Sequence, residues 1–184
     1  MKRRTIIALM LTLVAASVHA QTPLKMTFSG NAAGSTVDLK APNTTTGEED
    51  LAGNGTLGPY SFRMFKASVN VPQLSSTCTS LYFPNVAGAG MFRFEDGSLL
   101  FVNLTGGGDC IDPVRMMATC TLTFKISGGT GRFKNASGAL TLTETALPVM
   151  ADSQGNPIFF SEAGEFTGTI SGLALEDASR ETRQ

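Results

Sequence analysis

Short runs in which apolar and polar residues alternate, each cut off by glycine, proline or asparagine, recur along most of this chain. A period of two is the pattern of a strand with one buried face. Residues 24–29 (Leu-Lys-Met-Thr-Phe-Ser) show it first. Residues 30–58, rich in Gly, Asn, Thr and acids, read as a long loop with one short strand near Thr36–Leu39. Residues 60–71 form the next strand, with a change of face near Phe65 that suggests a bulge. Residues 72–90 read as a loop containing Pro72, Pro84 and the run Ala87-Gly88-Ala89-Gly90. Met91–Glu95 and Leu99–Leu104 flank Asp96-Gly97, the favoured type I′ hairpin pair. Further strands are expected at 119–127, 138–146, 158–160 and 165–170, with turns at Gly128–Gly131 and Gly155-Asn156-Pro157. The count is about eight strands, one every 10–15 residues, with no strand–helix alternation. A parallel sheet is thereby set aside, leaving an all-β sandwich or a closed antiparallel barrel in one domain.

The amino terminus reads as an export signal. Met1-Lys2-Arg3-Arg4 is a short basic segment, Ile6–Ala16 is apolar apart from Thr12, and Val18-His19-Ala20 offers small residues at the −3 and −1 positions of a cleavage site. The apolar run is shorter than the roughly 20 residues of a spanning helix. The expected layout is a signal at 1–20, a barrel domain at 21–175 and a polar tail at 176–184. The expected location is periplasmic or secreted. Loss of Lys2, Arg3 and Arg4 leaves 11 basic against 15 acidic residues, a formal charge of −4. That balance speaks against nucleic acid as a partner. The triplets beginning at Asn43, Asn54, Asn103 and Asn135 have the glycosylation pattern, but the bacterial-type signal implies that they stay unmodified.

The missing residue types exclude more than the present ones reveal. The single histidine, His19, falls in the signal, so the mature chain has none. A Ser-His-Asp triad, a Cys-His pair and a His-ligated zinc or copper site are all excluded. Cys78, Cys110 and Cys120 are three, too few for a four-thiolate zinc site and enough for one bridge. Cys120 shares an alternating face with Leu122, Phe124 and Ile126, which makes it a buried free thiol. A Cys78–Cys110 bridge closes a 32-residue interval, worth about 3–4 kcal/mol in the chain-entropy model. Cys110–Cys120 is the alternative pairing.

The segment Gly128-Gly129-Thr130-Gly131-Arg132-Phe133 is the most distinctive in the chain. It lacks the spacing of a phosphate-binding loop, and a strand rather than a helix follows it. Its glycines read as structural, allowing positive φ and close strand packing, with Arg132 capping the turn or pairing with an acid. Followed by Asn135-Ala136-Ser137-Gly138, and closed by Gly164-Glu165-Phe166-Thr167-Gly168-Thr169-Ile170, the segment resembles the turn of dirigent proteins and allene oxide cyclase-like barrels. The likeness spans about residues 86–171. It implies an eight-stranded antiparallel barrel with a central cavity that positions a molecule using few polar groups.

Other candidate sites are weaker. Asp109 and Asp112 beside Gly106-Gly107-Gly108 could bind calcium, but without EF-hand spacing they read as a solvated acidic loop. Glu48-Glu49-Asp50 reads as a mobile loop. Arg93 and Glu95 share a strand face that could line a cavity, although Phe92 and Phe94 opposite look like core. No catalytic residue, metal site or cofactor is assigned. The expected function is a binding or structural module for a small apolar ligand or an envelope partner, with homo-oligomerisation open. The alternative is an enzyme of the cyclase or dirigent type that shapes a reactive intermediate in its cavity.

Overall fold

The computed structural model describes residues 21–174. The expected signal at 1–20 and tail at 176–184 lie outside the described residues. Eight strands form a closed antiparallel barrel in strict chain order. They are β1 (Thr22–Gly34), β2 (Thr44–Gly55), β3 (Tyr60–Val69), β4 (Leu81–Phe94), β5 (Leu99–Asp112), β6 (Met117–Gly129), β7 (Ser137–Ala151) and β8 (Pro157–Ser171). The ring closes where β1 pairs with β8, Thr22 opposite Ile170. Of the two architectures the pattern allowed, the barrel is the one formed.

Several strands are longer than their sequences suggest. The expected loop at 30–58 contains the end of β1 and all of β2, while Thr36–Leu39 is not a strand. Glycines and acids are poor strand formers, but β2 is hydrogen-bonded to a neighbour on each side, and that pairing overrides propensity. The expected loop at 72–90 gives way to β4 from Leu81, and Gly106–Gly108 with Asp109 lie inside β5. Residues 157–171 form one strand rather than two. At the β4–β5 hairpin only Gly97 takes positive φ, 80°, so the type I′ pair does not form. Phe94 N instead donates to Ser98 O at 3.0 Å, giving the three-residue loop class that ends in a left-handed glycine.

The two halves of the barrel are filled differently. Near the β2–β3, β4–β5 and β6–β7 connections the interior is aromatic. Phe62 packs on Phe92 with centroids 4.4 Å apart and on Phe166 at 5.0 Å, and Phe92 meets Phe166 at 4.9 Å. Each such ring, fully withdrawn from water, contributes about 1.5–3 kcal/mol. Arg132 seals this end. Its Nη2 donates to Leu57 O at 2.6 Å, its Nε lies 3.1 Å from Asp96 Oδ2, and its guanidinium sits over the rings of Phe94 and Phe133 at 4.9 and 4.8 Å. Gly131 makes this possible, because its φ of 57° and its approach to Ser98 leave no room for a side chain. A short 3-10 turn, Gly131–Phe133, then leads toward β7. The far half, toward the other four connections, carries charge instead.

Candidate functional site: a buried ion cluster beneath an open cavity

Alternation delivers four charged residues to the barrel interior. Glu49 follows the inward phase of Leu51 on β2, Lys66 that of Met64 on β3, and Glu144 that of Leu142 on β7, while Glu162 precedes Phe166 by four on β8. All are buried: Glu49 is 0%, Lys66 8%, Glu144 3% and Glu162 3% exposed. Two bulges add polar neighbours. Ala67 pairs with Ala87 but Ser68 pairs with Asn85, so Val86 is skipped and Asn85 turns inward. Leu104 pairs with Phe124 but Gly106 pairs with Thr123, so Thr105 is skipped. Beyond that bulge the inward phase of β5 changes from even to odd positions, and Asp109 enters the barrel.

Lys66 Nζ stands at the centre, 2.7 Å from Glu49 Oε1, 3.0 Å from Asp109 Oδ1 and 3.9 Å from Glu144 Oε1. The first is an ion pair without directed hydrogen-bond geometry; Lys66 donates a hydrogen bond to Asp109. Asp109 Oδ2 also accepts from Asn85 Nδ2 at 3.0 Å and lies 3.3 Å from Ser68 Oγ. Glu49 Oε2, both Glu144 oxygens and Glu162 Oε2 have no hydrogen-bond partner.

These environments pull the groups apart. Burial disfavours the charge of Lys66, but Glu49, then Asp109 and Glu144, outweigh it and hold its pKa well above the usual lysine value. Burial also pushes Asp109 upward, yet the Lys66 ammonium and the hydrogen bonds from Cys120, Asn85 and Lys66 prevail and keep it below the usual carboxylate range. Glu144 goes the other way: burial first, then the charge of Glu49, raise it well above an ordinary carboxyl. Glu162 is raised to about 8 by the same two causes. Burial pushes the Cys120 thiol well up, so it is not an activated nucleophile.

Above the cluster lies a cavity of about 600 Å³. Lys66, Asp109, Cys120 and Glu162 form its floor, and alanines of β1, β6 and β7 with Ile111, Ile158 and Phe160 form much of its wall. Of the 13 exposed large apolar residues among the described residues, ten lie on the connections and strand ends at this mouth, among them Val71, Leu74, Val114, Met116, Val149 and Met150. The Cys78–Cys110 disulfide, Cα–Cα 5.6 Å, ties the β3–β4 connection to β5 beside Asp109. Cys120 is the free, buried thiol.

Several expected site residues fall elsewhere. Glu48-Glu49-Asp50 is strand, not mobile loop: Glu48 and Asp50 face outward within 3.6 and 3.7 Å of Arg63, and only Glu49 enters the barrel. Asp109 and Asp112 form neither a solvated loop nor a pair. Asp112 Oδ1 accepts from the backbone of Val114 and Arg115, both at 3.0 Å, while Asp109 is held inside. Arg93 and Glu95 are exposed beside a shallow outer groove at the sealed end, away from the cluster. Gly128 and Gly129 end β6, and Thr130 Oγ1 accepts from Leu99 N at 3.1 Å. The cluster itself was missed by the sequence reading. A signal existed, since Glu144 and Lys66 each fall in phase with an apolar face. The bulges that bring in Asn85 and Asp109 leave no such trace.

No protein-family description matches the sequence, and no curated protein does. Among solved structures the chain is similar to a pterocarpan synthase dirigent protein, with a TM-score of 0.40 and 14% identity over 88% of this chain and 96% of that one. At that score and identity the likeness says nothing of ligand or activity.

Proposed function

We propose that the mature chain is an exported binding protein that takes a small, largely apolar molecule into the open half of its barrel. One observation carries this reading: a cavity of about 600 Å³, apolar in its walls and charged at its floor, opens through a rim of exposed apolar side chains. That volume is within the range of small-molecule sites, about 300–1,000 Å³. The apolar body of the ligand would lie against the alanine and isoleucine wall, and a polar group would meet Lys66 and Asp109. Export rests on the basic and apolar amino-terminal segments and agrees with the disulfide. Native mass spectrometry of protein purified from the exported fraction tests both parts. The expected result is a chain beginning at Gln21 that carries extra mass under native conditions only. In Ala32→Trp, which fills the cavity from β1, the extra mass disappears while the circular dichroism is kept. A bare wild-type chain under every gentle condition refutes the carrier reading.

The convergence of ionisable groups on the floor favours a second reading, a cavity enzyme that orients a reactive intermediate. Here the bound molecule would be chemically changed on incubation, and Asp109→Asn would slow the change without releasing the molecule. Binding without conversion rejects it.

A further inference from the structure

We propose that Glu49, Glu144 and Glu162 form a binding site for one divalent hard cation, of the calcium or manganese class, beneath the cavity. One carboxylate oxygen from each residue lies within 4.8 Å of the other two. Two oxygens on opposite sides of an ion with bonds of about 2.4 Å stand about 4.8 Å apart, so the trio can close on a single centre. Buried carboxylate oxygens normally have partners, yet Glu49 Oε2, both Glu144 oxygens and Glu162 Oε2 have none. Lys66 cannot serve them all: it is committed to Glu49 and Asp109 and reaches Glu144 only at 3.9 Å.

Charge points the same way. Four carboxylates (Glu49, Asp109, Glu144 and Glu162) surround one ammonium. A doubly charged ion would bring the fully ionised cluster from −3 to −1. The donors are all oxygen, with neither imidazole nor thiolate in the trio, which selects a hard cation over zinc or copper. Glu162 is on the cavity floor and gives the ion a way in, whereas Glu49 and Glu144 lie below the reach of the cavity. A bare ion can be shared by all three; of the trio, the head group of an organic cation in the cavity meets only Glu162. The remaining coordination would be completed by water from the cavity side. The inference stands whether or not the cavity holds an organic ligand.

The test uses the mature chain stripped with EDTA and titrated with Mn²⁺, following free Mn²⁺ by its electron paramagnetic resonance signal. The expected result is one Mn²⁺ per chain, displaced by Ca²⁺. Glu144→Gln and Glu162→Gln should each weaken binding by about tenfold or more, and Asp50→Asn, on the outer face, should leave it unchanged. Both glutamine variants remove a buried carboxylate without changing its shape, and circular dichroism confirms that they fold. Free Mn²⁺ undiminished by wild-type protein at about 1 mM, the weak end for extracellular calcium modules, overturns the proposal. Equal binding by wild type and both glutamine variants overturns it too, since the ion would then be held elsewhere.

Discussion

Replacing Lys66 by Met would leave a side chain of similar length in the same slot and remove its charge. In the native barrel that charge lies 2.7 Å from Glu49 and 3.0 Å from Asp109, with the lysine side chain only 10% exposed. Taking one partner out of a buried ion pair strands the other and costs about 3–5 kcal/mol. For a domain of this size that lowers the melting temperature by about 6–20 °C. The pH dependence has a definite sign. Asp109 is held below its ordinary value in the folded chain, so its contribution is present above the usual carboxylate range and fades as pH falls through the folded value. Lys66→Met abolishes that contribution, so the gap between wild type and variant should hold from neutrality down to the ordinary carboxylate range and narrow as the pH falls below about 4. Urea unfolding followed by far-ultraviolet circular dichroism, in EDTA, measures it. Adding Glu49→Gln to the variant should restore part of the loss. A loss below about 1 kcal/mol at pH 7, the scale of an exposed pair, or a gap that widens in acid, would refute the claim that this lysine balances the cluster.

Three further outcomes are expected. Replacing Cys78 and Cys110 together by Ser should reduce stability by about 3–4 kcal/mol, the chain-entropy value for the loop they close, seen as a lower urea midpoint; an unchanged midpoint would mean that the bridge does not constrain the unfolded chain. Phe166→Ala removes the ring shared by Phe28, Phe62 and Phe92 at 5.1, 5.0 and 4.9 Å, and should cost about 3–5 kcal/mol in the same assay. Cys120, buried and with its thiol pushed well up, should resist iodoacetamide at pH 8 until urea unfolds the barrel, when one thiol per chain reacts; rapid labelling of the native protein would contradict its placement.

The strand count was legible because turn residues punctuate the chain regularly, and the inward face of β6 could be read from Cys120, Leu122, Phe124 and Ile126. Glycine-rich β2 was illegible, since its strand character comes from pairing with β1 and β3 and not from its own residues. The sequence allows two partners for Cys110, Cys78 and Cys120. The bulge at Thr105 settles the choice. Asp109, not Cys110, stands opposite Cys120 and faces inward, so Cys110 is turned away toward the connection that carries Cys78. Glu48-Glu49-Asp50 reads as a mobile loop from its composition, which hides the strand phase. In a strand, neighbouring acids take opposite faces, and Arg63 collects the outer two. Glu162 keeps the inward phase of Phe166 and Ile170, and Glu165 the opposite one, where it pairs with Lys25 at the surface. That phase is hidden in the sequence because 158–160 and 165–170 read as two strands with a break between them.

Seven of the eight strand pairings join neighbours along the chain and can form as each hairpin is made, but the pairing of Thr22 with Ile170 cannot. It is the single long-range event on which the ring depends, and the entropy of closing nearly the whole chain falls on it. During synthesis the first seven strands can at most form a curled ribbon with two bare edges, β1 and β7, until the eighth emerges. Such edges are templates for another chain. The protein therefore passes through its most adhesive state just before completion, and the last strand made is also the one that brings Glu162 to the cluster. A chain cut short before Pro157 would lack a seam and a carboxylate together.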